Sequence, residues 1–379
     1  MKFLHIADLH IGRRLSGISL LEDQRHILGK ILDIAAECDA VLIAGDVYDK
    51  PRPGGEAVKL AGDFLTRLSR LGKPVYLVAG NHDGGELVEY CSAMLADSGI
   101  HAVGSFDGKL RRHVLRDEHG EIHLYLLPFV KPLNVRAALG GEGGKIETYA
   151  DALRAAVATA ELDPAARNVL VAHQYVSGAE LSDSEQRIVG GLDQVPPEVF
   201  DGFDYVALGH LHAPQRLCGG RVCYAGSPLK YALTEERQRK GAAVVTLGAK
   251  GEAAFEHRPL APLRDVRTVT GPLAGIAAPE RFSEDFVGAV VTDELPPPDP
   301  LGALRIAYPN LIGMRVQNSR TNQELNVTEL ESAERKDPLE HFIDFYTAQN
   351  NQVPPDQRRI DIMRDIIREV REGTGHASD

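Results

Sequence analysis

The chain has 379 residues, more than the ~250–300 at which a single core stops growing, so two or three domains are expected. Its 43% hydrophobic and 25% charged residues, without low-complexity tracts, exclude a fibrous or broadly disordered protein. A formal net charge of -12 excludes a free-standing clamp that grips nucleic acid through basic residues alone. It leaves nucleic acid open as a substrate, because divalent cations and local Lys/Arg clusters can offset phosphate charge at one face.

The first element is the apolar run FLHIA at 3–7, read as a buried strand. His5, Asp8 and His10 interrupt it too early for a signal-peptide core, and no apolar run reaches the ~18 residues of a membrane span. A cytoplasmic protein with no membrane partner is therefore expected. Cys38, Cys91, Cys218 and Cys223 form no CxxC pair, so thiolate metal binding is not indicated and the cysteines are read as reduced.

Next, EDQRHILGKILDIAAEC puts Ile27, Ile31 and Ile34 on one helical stripe. A second buried run, AVLIAG at 40–45, leads to EAVKLAGDFLTRLSRLG, where Leu60, Phe64, Leu68 and Leu71 repeat the stripe and Gly72 marks a stop. PVYLVAG at 74–80, NVLVAH at 168–173 and DYVALG at 204–209 are further buried strands. Their alternation with helices is the α/β pattern. Residues 110–130 read as a hairpin turning near DEHGE, and strands dominate again from 216 to 247.

From about 265 a proline cluster and short strand-like runs indicate a smaller α+β domain. Two terminal helices follow. In the first, Asp337 is the expected N-cap, Pro338 the first helical residue and Glu340 the N3 partner, ahead of the stripe Leu339, Phe342, Ile343 and Tyr346. In the second, Met363, Ile366, Ile367 and Val370 form the stripe before Gly373. Such helices either pack back on their own body or offer an apolar face to another protein.

A polar cluster follows each of five buried runs. Asp8 and His10 come first, then Asp46, then Asn81 with His82 and Asp83, then His173, and last His210 with His212. In open α/β sheets, active sites gather outside the carboxyl ends of the strands, so all five clusters should face one crevice. Carboxylate, amide oxygen and imidazole suit Mn²⁺, Fe²⁺ or Zn²⁺, and the number of donors suffices for a pair of ions bridged by one carboxylate, for which Asp46 is the best placed. A lone D-x-H or H-x-H arises often by chance; five clusters in order, each after a buried run, do not. His5 and His26 sit inside strand or helix patterns and are read as packing or surface residues.

The order DxH, GDxxD, GNHD, H, GHxH resembles the calcineurin-like metallophosphoesterase superfamily. GGLDQVPPEVFDGFDYVALGHLH, AGSPLKY and DPLEHFIDFYTAQNN narrow the resemblance to its bacterial DNA-nuclease branch. The resemblance implies a four-layer α/β/β/α sandwich with a small α+β capping domain and C-terminal helices. The corresponding boundaries are 1–264 for the nuclease domain, 265–332 for the capping domain, 333–373 for the helices and 374–379 for a disordered tail.

It further implies one ion held by Asp8, His10, Asp46 and His212, and a second by Asp46, Asn81, His173 and His210, most often Mn²⁺. His82 would face the scissile phosphate without binding metal, and Asp83 would help hold its loop. The implied activity is 3′ to 5′ exonuclease on duplex DNA with endonuclease on hairpins or single strands. The implied partners are DNA and an SbcC-type ATPase gripped by the terminal helices, in a heterotetramer with two copies of this chain at the nucleoid.

Arg13, Arg14, Lys50, Arg52, Lys230, Arg237, Arg239 and Lys240 lie near the clusters and are candidate phosphate contacts. Two rival readings stand beside the nuclease. One is another phosphoesterase of the same superfamily, acting on phosphoproteins or nucleotides. The other is a scaffold that has lost catalysis, against which the full ligand set speaks, since a retired site has no reason to keep so many buried charges together.

Overall fold

The computed structural model describes residues 1–90, 92–140, 146–180, 194–295, 298–318, 337–350 and 352–373. Cys91, residues 186–193 of the family-like tract, the capping segment 319–332 and the tail 374–379 therefore lie outside the described residues. The chain divides into two units, Met1–Val266 and Arg267–Asp379.

Every strand expected from a continuous apolar run is present in the first unit. These are β1 (Lys2–Ile6), β2 (Ala40–Ala44), β3 (Val75–Val78), β7 (Arg167–His173) and β8 (Tyr205–Gly209). All residues of β2, β7 and β8 are buried, as strands covered on both faces must be. The other strands of the two large sheets are β4 (Ile100–Val103), β5 (Arg111–Asp117), β6 (Gly120–Leu127), β9 (Gln215–Leu217), β10 (Val222–Tyr224), β11 (Gly241–Leu247) and β12 (Ala253–Pro259).

They form two six-stranded sheets, ordered β12-β11-β1-β2-β3-β4 and β9-β10-β8-β7-β6-β5. β1 to β4 run parallel, with Phe3 opposite Ala40 and Ile43 opposite Leu77. In the second sheet β6, β7, β8 and β10 are parallel, with Val169 opposite Tyr205. The expected hairpin is β5–β6, turning at Glu118 and His119.

The sheets pack face to face over a shared core that includes Phe3, Leu42, Tyr76 and Val78 from one and Leu124, Val169, Tyr205 and Ala207 from the other. Alternation along the strands sends Leu4, Ile6, Val41, Ile43 and Leu77, also buried, to the opposite face of the first sheet, toward α1 (Leu21–Ala36) and α2 (Gly55–Arg70). In α2, Leu60, Phe64 and Leu68 of the expected stripe are buried together with Ala57 and Ala61, whereas Leu71 lies past the last helical residue and is only half-buried. Leu71 caps the helix and Gly72 stops it with φ +66°. The second sheet's outer face, with Leu127, Leu170 and Leu208, is covered by α3 (Tyr149–Ala158) through Ala152, Leu153 and Ala156. The layers are thus α/β/β/α.

Between the sheets lies His5, which is 0% exposed. Its Nε2 donates to the carbonyl of Leu208 at 3.1 Å, so its Nδ1 accepts from the Tyr205 hydroxyl at 2.8 Å. The ring thus ties β1 to the end of β8, and burial pushes its pKa down to about 3. A base whose folded pKa is depressed binds its proton first in the unfolded chain, so this contribution is full above ~6.5 and declines as pH falls toward the folded pKa. The slope is about 1 kcal/mol per pH unit in that window. Urea midpoints measured at pH ~7 to ~4.5 should therefore decline less steeply in His5→Gln than in the unaltered protein. Equal slopes would show that the ring is not held neutral.

In the second unit, β13 (Val266–Gly271), β14 (Phe286–Val291) and β15 (Leu311–Val316) form a sheet in that order, and α4 (Pro300–Ala307) joins its core through Leu304 and Ala307. Tyr308 anchors this core by donating its hydroxyl to the carbonyl of Ile276 at 2.6 Å. Two helices follow, α5 (Pro338–Gln349) and α6 (Gln357–Gly373). At the start of α5 the Glu340 carboxylate accepts the Asp337 N–H at 3.3 Å, as the sequence predicts. The two helices pack on each other, with the Arg359 guanidinium over the Tyr346 ring at 5.8 Å. No described side chain in either helix is buried, and Phe345 (66%), Ile362 (52%) and Ile366 (48%) are openly exposed.

Candidate metal centre

Parallel strands deliver the five polar clusters to one end of the paired sheets. Asp8 and His10 follow β1, Asp46 follows β2, Asn81 and His82 follow β3, His173 closes β7, and His210 and His212 follow β8. The first two loops are zipped together: Asp8 N–H bonds to the carbonyl of Gly45 at 3.1 Å, and His10 N–H to that of Asp46 at 2.9 Å. Asp8 (φ +54°), His10 (+42°), Asp46 (+50°) and His210 (+103°) all adopt the left-handed region. Each such residue costs on the order of 1–3 kcal/mol, so the surrounding structure must over-determine the site.

The glycines preceding Asp46, Asn81 and His210 have a steric cause. A Cβ on Gly80 would stand 2.1 Å from Asp46 Oδ1, one on Gly45 2.3 Å from His173 Nδ1, and one on Gly209 2.0 Å from the carbonyl oxygen of Ala44. Only glycine lets these chains approach so closely.

On one side of Asp46, His10 Nε2 lies 3.2 Å from His212 Nε2 and 3.7 Å from Asp46 Oδ2. On the other, His173 Nε2 lies 3.5 Å from Asp46 Oδ2 and 2.9 Å from Asn81 Oδ1, which is 3.0 Å from His210 Nδ1. The Asp8 carboxylate accepts the backbone N–H of His210 at 2.9 Å. Ligand atoms converge within 4.8 Å in three groups: Asp8, His10 and His212; Asp8, Asp46 and His173; and His10, Asp46 and His82. All seven residues expected as ligands are thus assembled, with Asp46 between the two sides. His82 lies nearer this centre than a purely phosphate-facing role requires.

The protons in the site favour a cation. His173 Nδ1 faces the carbonyl of Ala44 at 2.8 Å and must be the protonated nitrogen. In the neutral ring its Nε2 is then a lone pair aimed at two oxygens, those of Asn81 and Asp46. His212 Nδ1 likewise faces the Glu235 carboxylate at 3.0 Å, so its Nε2 lone pair points toward His10. His10 Nδ1 is buried without a hydrogen-bond partner.

Added positive charge relieves this clustering of acceptors. Burial opposes charging His173, yet Asp46 and then Asp8 raise its pKa to about 9. Burial lifts the Asp8 carboxyl to about 7, whereas the histidines around Asp46, His173 foremost, overcome burial and hold that carboxyl well below the usual range. A mixed imidazole, carboxylate and amide set that gathers charge in this way fits Mn²⁺, Fe²⁺ or Zn²⁺.

His82 is half-buried at the rim. Its backbone N–H donates to Asp46 Oδ1 at 2.8 Å and its ring Nδ1 donates to the carbonyl of Asp49 at 3.1 Å, leaving Nε2 for another group. Asp83 ties the loop down by accepting N–H groups from Val47, Tyr48 and Gly80 at 3.1, 2.8 and 2.9 Å. Burial raises its pKa to about 6.

Several supporting residues escape sequence reasoning. Gln24 donates to the carbonyls of Leu9 and His10 at 3.2 and 2.7 Å, and Tyr231 donates to that of Leu9 at 2.6 Å. Glu235 and Lys240 lie behind His212. No motif spacing announces them, since a glutamate in TEER or a lysine beside arginine normally reads as a solvated surface charge.

The expected phosphate contacts need correction. Lys240 is 7% exposed and committed to Glu235, Ser227 and the carbonyl of His212, so it is an internal strut and not a DNA contact. Lys230 pairs with Asp265 at 2.9 Å, and Arg13 with Asp49 at 2.9 Å. Arg14 is exposed and bonds to the carbonyl of Gly17, while Lys50, Arg52, Arg237 and Arg239 are exposed.

Three solved structures resemble the chain. TT1561 of Thermus thermophilus is 15% identical, with TM-score 0.39, covering 68% of this chain and 98% of that one. A dimetal phosphatase from Danio rerio is 11% identical, with TM-score 0.39, covering 68% and 96%. The calcineurin-like phosphoesterase YfkN from Bacillus subtilis is 13% identical, with TM-score 0.35, covering 69% and 90%. Residues 262–350 match the type 5 capsule protein repressor C-terminal domain, SbcD_C. Residues 1–214, more than half of the 379, match the calcineurin-like phosphoesterase family. With five clusters on two stacked sheets and a donor set suited to paired divalent cations, the chain belongs to that family of metal-dependent phosphoesterases.

Proposed function

We propose that this phosphoesterase is a DNA nuclease of the SbcD type, a 3′ to 5′ exonuclease on duplex ends and an endonuclease on hairpins or single strands. The observation that carries the reading is the occurrence in one chain of a phosphoesterase domain and an SbcD_C region. One ion would be held by Asp8, His10, Asp46 and His212, the other by Asp46, Asn81, His173 and His210. Bound there, Mn²⁺ supplies a lowered pKa for water and neutralisation of phosphoryl charge.

The chain's own residues do the rest. Asp46 joins the two sides of the site, and the buried Asp8 and His10 keep bulk water from competing for its charge. His82, anchored at Nδ1–H by the carbonyl of Asp49, presents Nε2 to the phosphodiester, and in its imidazolium form the Nε2–H would stabilise developing charge or pass its proton to the leaving oxygen, returning the ring to neutral.

Lys240, Lys230 and Arg13 are engaged in ion pairs, which leaves the exposed Arg14, Lys50, Arg52, Arg237 and Arg239 to meet DNA phosphate on a chain whose formal net charge is -12. That acidic balance supports an SbcC-type ATPase as the source of further DNA contacts. The exposed apolar side chains of α5 and α6 are its proposed seat, and two copies of the chain would share the assembly.

The test is to incubate the purified chain with duplex DNA, bis-p-nitrophenyl phosphate and a phosphopeptide, each with Mn²⁺ or EDTA. DNA and the model diester should be cleaved with Mn²⁺ and spared with EDTA. Turnover of the phosphopeptide alone would favour a phosphoprotein phosphatase instead.

A further inference from the structure

Behind His212 lies a buried ion pair that the proposed chemistry leaves unused. Glu235 is 0% and Lys240 7% exposed. One oxygen of Glu235 is 3.0 Å from His212 Nδ1, while the other accepts the Tyr231 N–H at 3.1 Å and lies 2.6 Å from Lys240 Nζ. Lys240 also donates to the carbonyl of His212 at 2.9 Å, to Ser227 Oγ at 2.7 Å and to Gln238 Oε1 at 2.7 Å. One ion pair therefore holds His212 at both its ring and its backbone.

The histidines around it are held differently. His173 leans on a neutral carbonyl, that of Ala44, and His10 Nδ1 has no hydrogen-bond partner. A carboxylate behind a ligating imidazole fixes its tautomer and raises the basicity of the opposite nitrogen, whereas a carbonyl does the former with less of the latter. Burying two charges without such a return costs more than an apolar pair of the same volume. Their place behind His212 is the return.

We propose that Glu235, supported by Lys240, is a positioning residue that sets the cation affinity on the Asp8, His10 and His212 side of the centre, leaving the Asn81, His173 and His210 side to bind on its own. This rests on the two-ion reading above. Glu235→Gln keeps the shape and an acceptor oxygen but removes the charge. The double variant Glu235→Gln/Lys240→Met removes both charges, so no unpaired ion is left inside to unfold the loop.

The experiment titrates full-length protein with Mn²⁺ by calorimetry, and reads anomalous peak heights in crystals equilibrated at limiting Mn²⁺. The double variant should keep the metal-free melting temperature near that of the unaltered protein, whereas Glu235→Gln alone, which leaves Lys240 buried without its counter-charge, should melt lower. The ion beside His212 should bind ~10- to 100-fold more weakly, with the ion beside His173 unchanged. Two ions weakened alike, or neither weakened, while the unaltered protein binds two, would overturn this inference and leave the two-ion reading standing. An unaltered protein that binds no Mn²⁺ would overturn both.

Discussion

Asp46→Ala is expected to lose both cations together and to cut hydrolysis of bis-p-nitrophenyl phosphate by at least ~10³-fold, beyond the ~10- to 100-fold that follows loss of an outer partner. The reason is its place in the structure. Asp46 Oδ2 stands 3.7 Å from His10 Nε2 and 3.5 Å from His173 Nε2, so one carboxylate serves both sides. A ligand that binds the folded state raises stability by about 2.7 kcal/mol per site at a hundred times its dissociation constant. The unaltered protein should therefore melt higher with Mn²⁺ than with EDTA, and Asp46→Ala should melt alike in both. A variant that kept its Mn²⁺-dependent shift would show that the bridging role belongs elsewhere.

His82→Ala should separate binding from chemistry. Its ring is anchored to the carbonyl of Asp49 and stands edge-on to His10, with ring centroids 4.9 Å apart. The residue also bonds to Asp46, but through its backbone N–H, which alanine keeps. Manganese affinity should therefore change little, while kcat falls by ~10²–10³-fold, the size expected when one group that meets developing charge is removed. A comparable loss of Mn²⁺ binding would place His82 among the ligands, a result its position within 4.8 Å of His10 and Asp46 ligand atoms makes worth measuring.

The parts of this molecule legible in the sequence are those where one local rule decides. Strands such as AVLIA and VLVA are continuous apolar runs because parallel strands in a covered sheet are buried on both faces, and each such run is a strand in the structure. The helix stripes, the Gly72 stop and the Asp337–Glu340 cap follow from equally local geometry. The candidate ligands were legible because each follows a strand end, and parallel strands carry sequence order into spatial convergence.

What could not be read depends on pairing across the fold. Glu235 is 23 positions from His212, in a short turn, and Lys240 sits in an arginine-rich stretch, so both resemble solvated charges until the chain closes over them. The same blindness made Lys240 a candidate phosphate contact. Asp49, which anchors both His82 and Arg13, shares a motif with Asp46 but gives no sign of acting through its carbonyl.

The most direct measurement is anomalous diffraction at the manganese edge from crystals of the unaltered protein soaked in Mn²⁺. Two peaks ~3.5–4 Å apart should flank the Asp46 carboxylate, one against His10 and His212 and one against His173 and Asn81. Peaks elsewhere on the surface, with none beside Asp46, would contradict the two-ion site.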